Sequence, residues 1–410
     1  VAVVLAYTSP ALGHLFPFCA LLTELASRGH QVHLRTLAAG VDLARELGFT
    51  AAPVHPGIEA LQSIDPFTDS MMRSVASTVE VLTRRAVLEV GDFQVAVRDV
   101  EPDVMVLDAN CWGAMAAAEA QTRPWVVLSP FVPYLRSPGS PPFGAGAAPM
   151  RGPVGRVRDW GIGLVTVPLF DRPLARGMRP VREALGLAPL RSADDLLRRA
   201  PGLLVATGKP FEYEHTDWGA SASMIGPAAF DPPLQRPPAW LDDIDLPVVL
   251  VTTSSVRQAD EALIRATIDA LDGQPVHVVA TSPAGDADAV QTRRGVTMAR
   301  FVPHSAVLER AVCVVTHGGM GVTQKALGRG IPVCAVPFGR DQFEVARRVQ
   351  VARCGTRLPA RRLSVPRLRE AIGAAMTMTA GAQAVAAGFA ATGGVRRGAD
   401  IVESHLTRRS

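Results

Sequence analysis

The chain has 410 residues, 48% hydrophobic and 20% charged, with a formal net charge of +4 and a pI near 9.0. That length exceeds what one growing core serves, so two domains are expected, and the composition is that of an ordinary globular protein. No basic run is interleaved with aromatics, which argues against a nucleic-acid partner.

Residues 1–6 read as a buried strand and residues 8–13 as a turn. Leu15, Phe18, Leu22 and Leu25 then share one helical face that ends at Arg28 and Gly29. Pro17 is expected in the first turn of that helix, where proline is tolerated, and this sets His14 at the helix entrance. Strand 31–35, strand 104–107, an Ala-rich helix over 112–121 and strand 125–128 continue the alternation, which points to a doubly wound parallel sheet. Ligands of such sheets bind beyond the carboxyl ends of the strands, where both His14 and Asp108 fall. A histidine there suits a general base, and Asp108 can fix its tautomer and stabilise the imidazolium; a backbone-bonded His14 and an N-capping Asp108 are the plainer alternatives. Residues 130–155, rich in Pro, Gly and Ser, carry Phe131, Tyr134 and Phe143 and read as a surface loop or a wall of an acceptor pocket. Phe67, Met71 and Met72 are read the same way, or as core, and Trp112 is placed with the acceptor residues.

Residues 230–245 contain four prolines and read as a linker. Strand 247–251, helix 260–271 and strand 276–280 follow, and then the most telling stretch, residues 300–346. In it the apolar run 312–315 is broken by Thr316, His317, Gly318 and Gly319 before a helical pattern that stops at Gly330 and Pro332. Strand, glycine turn and helix together make a seat for a diphosphate, because glycines admit the anion and free N–H groups at the helix start hold it. The Asp-x-Asp pairs at Asp243/Asp245 and Asp286/Asp288 lie in polar connections and read as solvated loops, so no metal is expected. Three helical patterns follow from Pro366. The five cysteines, Cys19, Cys111, Cys313, Cys334 and Cys354, are scattered and read as buried core residues in a reducing compartment. No apolar run reaches membrane-spanning length and the start lacks signal-peptide order, so a cytoplasmic protein is expected.

The run H-G-G-M-G-V-T-Q-K-A-L-G-R-G-I-P followed by P-F-G-R-D-Q, from His317 to Gln342, resembles the donor motif of the GT-B glycosyltransferases that decorate natural products. The resemblance implies two facing Rossmann-like domains: an acceptor domain over residues 1–229, a donor domain over 230–388, and a last helix over 389–410 crossing back to the first. It implies that His317 contacts the diphosphate, that Gly318, Gly319, Gly321 and Thr323 line the turn, and that Ser255 adds a phosphate contact. Phe301 would stack on the base, the Val302 backbone would bond its edge, and Asp341 and Gln342 would receive sugar hydroxyls. His14 would be the base and Asp108 its support, in an inverting transfer without metal or other cofactor from a nucleotide sugar to a largely apolar aglycone. The nearest look is to enediyne (calicheamicin-type) and macrolide enzymes, with the enediyne group favoured. Two positions depart from the motif. Val322 replaces a hydroxyl residue, and Lys325 replaces the carboxylate that accepts from a ribose diol, which an ammonium cannot do. A dTDP-sugar is therefore expected rather than a UDP-sugar. An epimerase or hydrolase of the same fold, and a non-catalytic partner protein, are the rival readings.

Overall fold

The computed structural model describes residues 1–63, 71–233, 238–254, 261–282 and 291–406. Among these residues fourteen strands form two sheets of seven. The first is built from β1 (Val3–Tyr7), β2 (Gln31–Thr36), β3 (Thr50–Pro53), β4 (Val104–Asp108), β5 (Trp125–Ser129), β6 (Leu203–Val205) and β7 (Ala222–Met224), in the order β3-β2-β1-β4-β5-β6-β7. Every pairing in it is parallel. The second comprises β8 (Val248–Thr252), β9 (His277–Thr281), β10 (Gln291–Arg293), β11 (Val296–Ala299), β12 (Ala311–Thr316), β13 (Val333–Ala335) and β14 (Gly355–Arg357), in the order β10-β11-β9-β8-β12-β13-β14. Only β10 runs antiparallel, at the edge.

Parallel sheets are covered by helices on both faces, so their central strands bury every residue and read as unbroken apolar runs. β4, β5, β8 and β9 are buried throughout their lengths. One face of the first sheet packs on the helices Met71–Val100 and Trp112–Glu119, with Phe93, Trp112 and Met115 in that core. The other face takes Leu21, Leu22 and Leu25 of the helix Leu12–Ser27 together with Ala399 and Val402 of the final helix, Gly394–Leu406. All five cysteines are buried and free. Among the described residues no single helix is long and apolar enough to cross a membrane.

The region 130–155 is not loop to its end. A 33-residue helix, Gly152–Ala184, begins inside it and carries Pro168, Pro173 and Pro180. Its outward face shows Val154, Val157, Trp160, Leu164 and Val165 to solvent, so apolar residues lie on both sides and the usual 3.6-residue contrast is absent. Pro17 also differs from expectation: the helix starts at Leu12, which puts proline in the second turn. The Gly13 carbonyl thereby loses its helical donor, and both residues line the cleft between the sheets.

Candidate active site

The carboxyl ends of β1, β4, β8 and β12 meet at a cavity of about 620 Å³ lined from both lobes. His14 stands in the first turn of the helix Leu12–Ser27, with its Nδ1 2.8 Å from Asp108 Oδ2. Asp108 is fully buried at the end of β4, while the His14 side chain keeps 20% of its surface exposed. The other carboxylate oxygen accepts the Asn110 N–H at 2.8 Å, which fixes the Asp108 rotamer. An ionised carboxylate only accepts, so Nδ1 carries the proton and Nε2 is left as the basic nitrogen. The Phe131 ring meets the imidazole edge-on at 5.8 Å and limits its rotation.

Behind this pair lies a buried ion pair that no local pattern announces. Arg85 donates to Glu89 at 2.8 Å and to Ser9 Oγ at 3.0 Å, and Glu89 accepts the Gly113 N–H at 2.9 Å. The network ties the β1 loop that leads to His14 to the β4 loop that follows Asp108. Neither charge reaches solvent, so the two must be retained together.

On the facing lobe, β12 ends at Thr316 and the chain turns through Gly318 at φ +91°, where a Cβ would stand 3.2 Å from the Gln342 carbonyl. The helix Met320–Leu327 starts directly after Gly319 and brings its free N–H end to the cavity. Burial pushes the His317 imidazole down to about 4, with the nearby Arg340 charge acting in the same direction, so the ring is neutral near pH 7. Burial raises the Asp341 carboxyl, opposed by Arg340 and also by His14, which places Asp341 within electrostatic reach of the imidazole across the cleft.

His14, Phe131, Tyr134, Phe143, Phe301, Val302, His317, Gly319, Gly321 and Asp341 all line the one cavity. Five expected residues do not, the first being Asp108, which stands behind His14. Thr323 is fully buried and its hydroxyl donates to the Gly319 carbonyl at 2.8 Å, so it braces the helix instead of facing the turn. Gln342 is buried as well; its amide oxygen accepts from the Phe338 and Gly339 N–H groups at 2.9 and 3.1 Å and holds the loop before Asp341. Trp112 belongs to the core, with its indole N–H donating to the Tyr134 hydroxyl at 3.2 Å, and it supports the aromatic wall of the cavity from behind. Gly318 sits one layer back from the surface, against Gln342. Ser255 and Phe67 lie outside the described residues, and Met71 is described only as the start of the helix Met71–Val100. Asp243 and Asp245 are exposed and do not line the cavity, and Asp286 and Asp288 lie outside the described residues.

The aromatic wall of the cavity has an anchor that sequence reasoning missed. Glu344 Oε1, on the helix Gln342–Val351, accepts the backbone N–H groups of Gly144 and Gly146 at 2.9 and 2.8 Å. Its other oxygen meets Arg348, which also makes two bonds of 2.8 and 2.9 Å to Glu212. At Gly146, where φ is +53°, a Cβ would stand 2.7 Å from the Phe343 carbonyl. The loop that carries Phe143 is thus clamped to the opposite lobe.

Two facing doubly wound sheets around a shared cleft define the GT-B architecture. A profile described as the C-terminal domain of erythromycin biosynthesis protein CIII-like sequences matches residues 265–395. The chain is 31% identical over 388 residues to the 4'-demethylrebeccamycin synthase of Lentzea aerocolonigenes, covering 91% of each. Its fold superposes on CalG4, the calicheamicin glycosyltransferase, with a TM-score of 0.74 at 21% identity, covering 100% of this chain and 99% of that one. VinC in complex with dTDP superposes with a TM-score of 0.70 at 21% identity, covering 99% and 100%. The chain belongs to the nucleotide-sugar-dependent natural-product glycosyltransferases of this fold.

Proposed function

We propose that the enzyme moves a sugar, with inversion, from a dTDP-sugar to a hydroxyl of a bulky apolar aglycone, with His14 as base. The acceptor hydroxyl gives its proton to His14 Nε2 as its oxygen attacks the anomeric carbon, and the bond from that carbon to the diphosphate oxygen breaks. Asp108 stabilises the imidazolium that forms. The departing charge falls to the N–H groups at the start of the helix Met320–Leu327, which are fixed before the reaction and need no reorganisation. These residues carry the step without a metal, and Asp341 would meet a sugar hydroxyl. The observation that carries this reading is the 2.8 Å bond of His14 to a buried carboxylate, in a cleft whose opposite wall is a glycine turn and a helix start.

The aromatic wall supports an apolar acceptor. Tyr134 packs on Phe170 at 5.0 Å and on Phe143 at 6.0 Å, and these rings offer stacking surface with few fixed polar partners. An enediyne is one aglycone of this kind, and the calicheamicin enzyme among the structural neighbours makes it the first to try. The dTDP assignment draws on the dTDP complex of VinC and on Lys325 in place of a diol-binding carboxylate.

Replacement of His14 by Ala tests the chemistry. Turnover should fall by about 10²–10⁴-fold, the usual contribution of a positioned base, while dTDP binding measured by calorimetry holds. Unchanged turnover would leave a non-catalytic binding role instead.

A further inference from the structure

Lys325 is not an idle substitution. Its Nζ lies 2.6 Å from Asp231 Oδ1 and 5.7 Å from the centroid of the Phe16 ring. Asp231 comes from the stretch between β7 and β8, outside the helix that bears Lys325, and its Oδ2 accepts the Ser305 N–H at 2.9 Å. Phe230 beside it packs on Phe16 at 5.8 Å. Asp231, Lys325, Phe16, Phe230 and His304 all line the same cavity as Phe301, the residue expected to stack on the base. Burial opposes the Asp231 charge, yet Lys325 and the Ser305 N–H together hold its carboxyl below the usual range.

A carboxylate is therefore present at the nucleoside end of the cleft, supplied by a different segment from the one the donor motif uses. Among the described residues each Asp231 oxygen has one donor, which leaves each a lone pair. A single hydroxyl can be accepted there, but a ribose diol asks for both oxygens at once and must compete with an ammonium already bonded at 2.6 Å. We propose that Asp231, held in place by Lys325, is the residue that accepts the furanose hydroxyl of the donor, and that the pair selects a 2′-deoxynucleotide over a ribonucleotide. The assignment rests on the donor-site reading given above and extends it to nucleotide choice. A plain interdomain latch between the same two residues would affect stability and treat all nucleotides alike.

Calorimetric titration of the full chain with dTDP and with UDP separates the cases. The wild type should bind dTDP about tenfold tighter than UDP, the worth of one charge-assisted hydrogen bond. Asp231→Asn, nearly isosteric, should weaken dTDP by about tenfold and narrow that ratio. The double variant Asp231→Asn with Lys325→Glu moves the carboxylate onto the helix and should bring UDP level with dTDP or ahead of it. Equal binding of both nucleotides by the wild type overturns the assignment, as does a ratio unmoved in Asp231→Asn while its melting temperature falls. Binding of neither nucleotide by the wild type overturns instead the donor-site reading beneath it.

Discussion

Glu344 offers the sharpest test of how the acceptor wall is held. Its carboxylate is the acceptor for two backbone N–H groups of the opposite lobe, at Gly144 and Gly146. Replacing it with Ala removes both bonds. The Gly144 N–H is half-buried and can regain water, whereas Gly146 is buried and its N–H would stay unsatisfied. One bond replaced by water costs about 1 kcal/mol and one orphaned N–H about 2, so the docked loop loses about 3 kcal/mol. That is roughly a hundredfold in the equilibrium between docked and released loop. Only the docked form presents Phe143 to the cleft, so the acceptor KM should rise at least about tenfold, with dTDP affinity within about twofold of wild type. Steady-state kinetics with each substrate varied, beside dTDP calorimetry, read this directly. Gly146→Ala should show the same split, since its Cβ would stand 2.7 Å from the Phe343 carbonyl at φ +53°. A fall in dTDP affinity equal to the rise in acceptor KM, or an acceptor KM that does not move, would refute the clamp.

Two further predictions follow from groups the cleft buries. Trp112→Ala should cost about 3–5 kcal/mol of stability by denaturant titration, as loss of a fully buried aromatic does, and leave the order of preference among acceptors unchanged. A reordering of acceptors at unchanged stability would return Trp112 to the pocket. For His317, whose folded pKa is about 4, the unfolded state binds more protons between about pH 6.5 and 4. Its contribution is thus complete above the unfolded pKa and declines as pH falls, by about 1.6 kcal/mol between pH 6.5 and 5. His317→Asn should flatten that limb of the stability profile, and an unaltered slope would contradict the buried neutral ring.

Much of the architecture was legible because parallel strands buried on both faces announce themselves. Residues 104–107, 125–128 and 247–251 read as strands within a residue or two of β4, β5 and β8. His14 and Asp108 were placed by the same logic, since each follows a strand whose carboxyl end opens on the crevice. What stayed hidden had no local signature. The helix Gly152–Ala184 combines three interior prolines with apolar residues on its solvent side, so neither periodicity nor composition marks it. Thr323 and Gln342 sit in the motif in the right order, but which side of a turn a side chain takes depends on backbone hydrogen-bond partners that a sequence does not display. Asp231 and Glu344 act on partners 94 and about 200 positions away, and the one clue was indirect: a lysine on a buried helical position implies an acid somewhere.

The clamp between Glu344 and the glycines of the Phe143 loop also bears on hybrid enzymes made by joining the front half of one relative to the back half of another. The surface that would select the aglycone is encoded in the front half yet seated by a side chain from the back half. A chimera cut in the linker would inherit the aromatic rings and Glu212 without their mooring unless the back half also supplies Glu344 and Arg348. Substrate range in such hybrids is then a property of the junction, and is not portable with either parent alone.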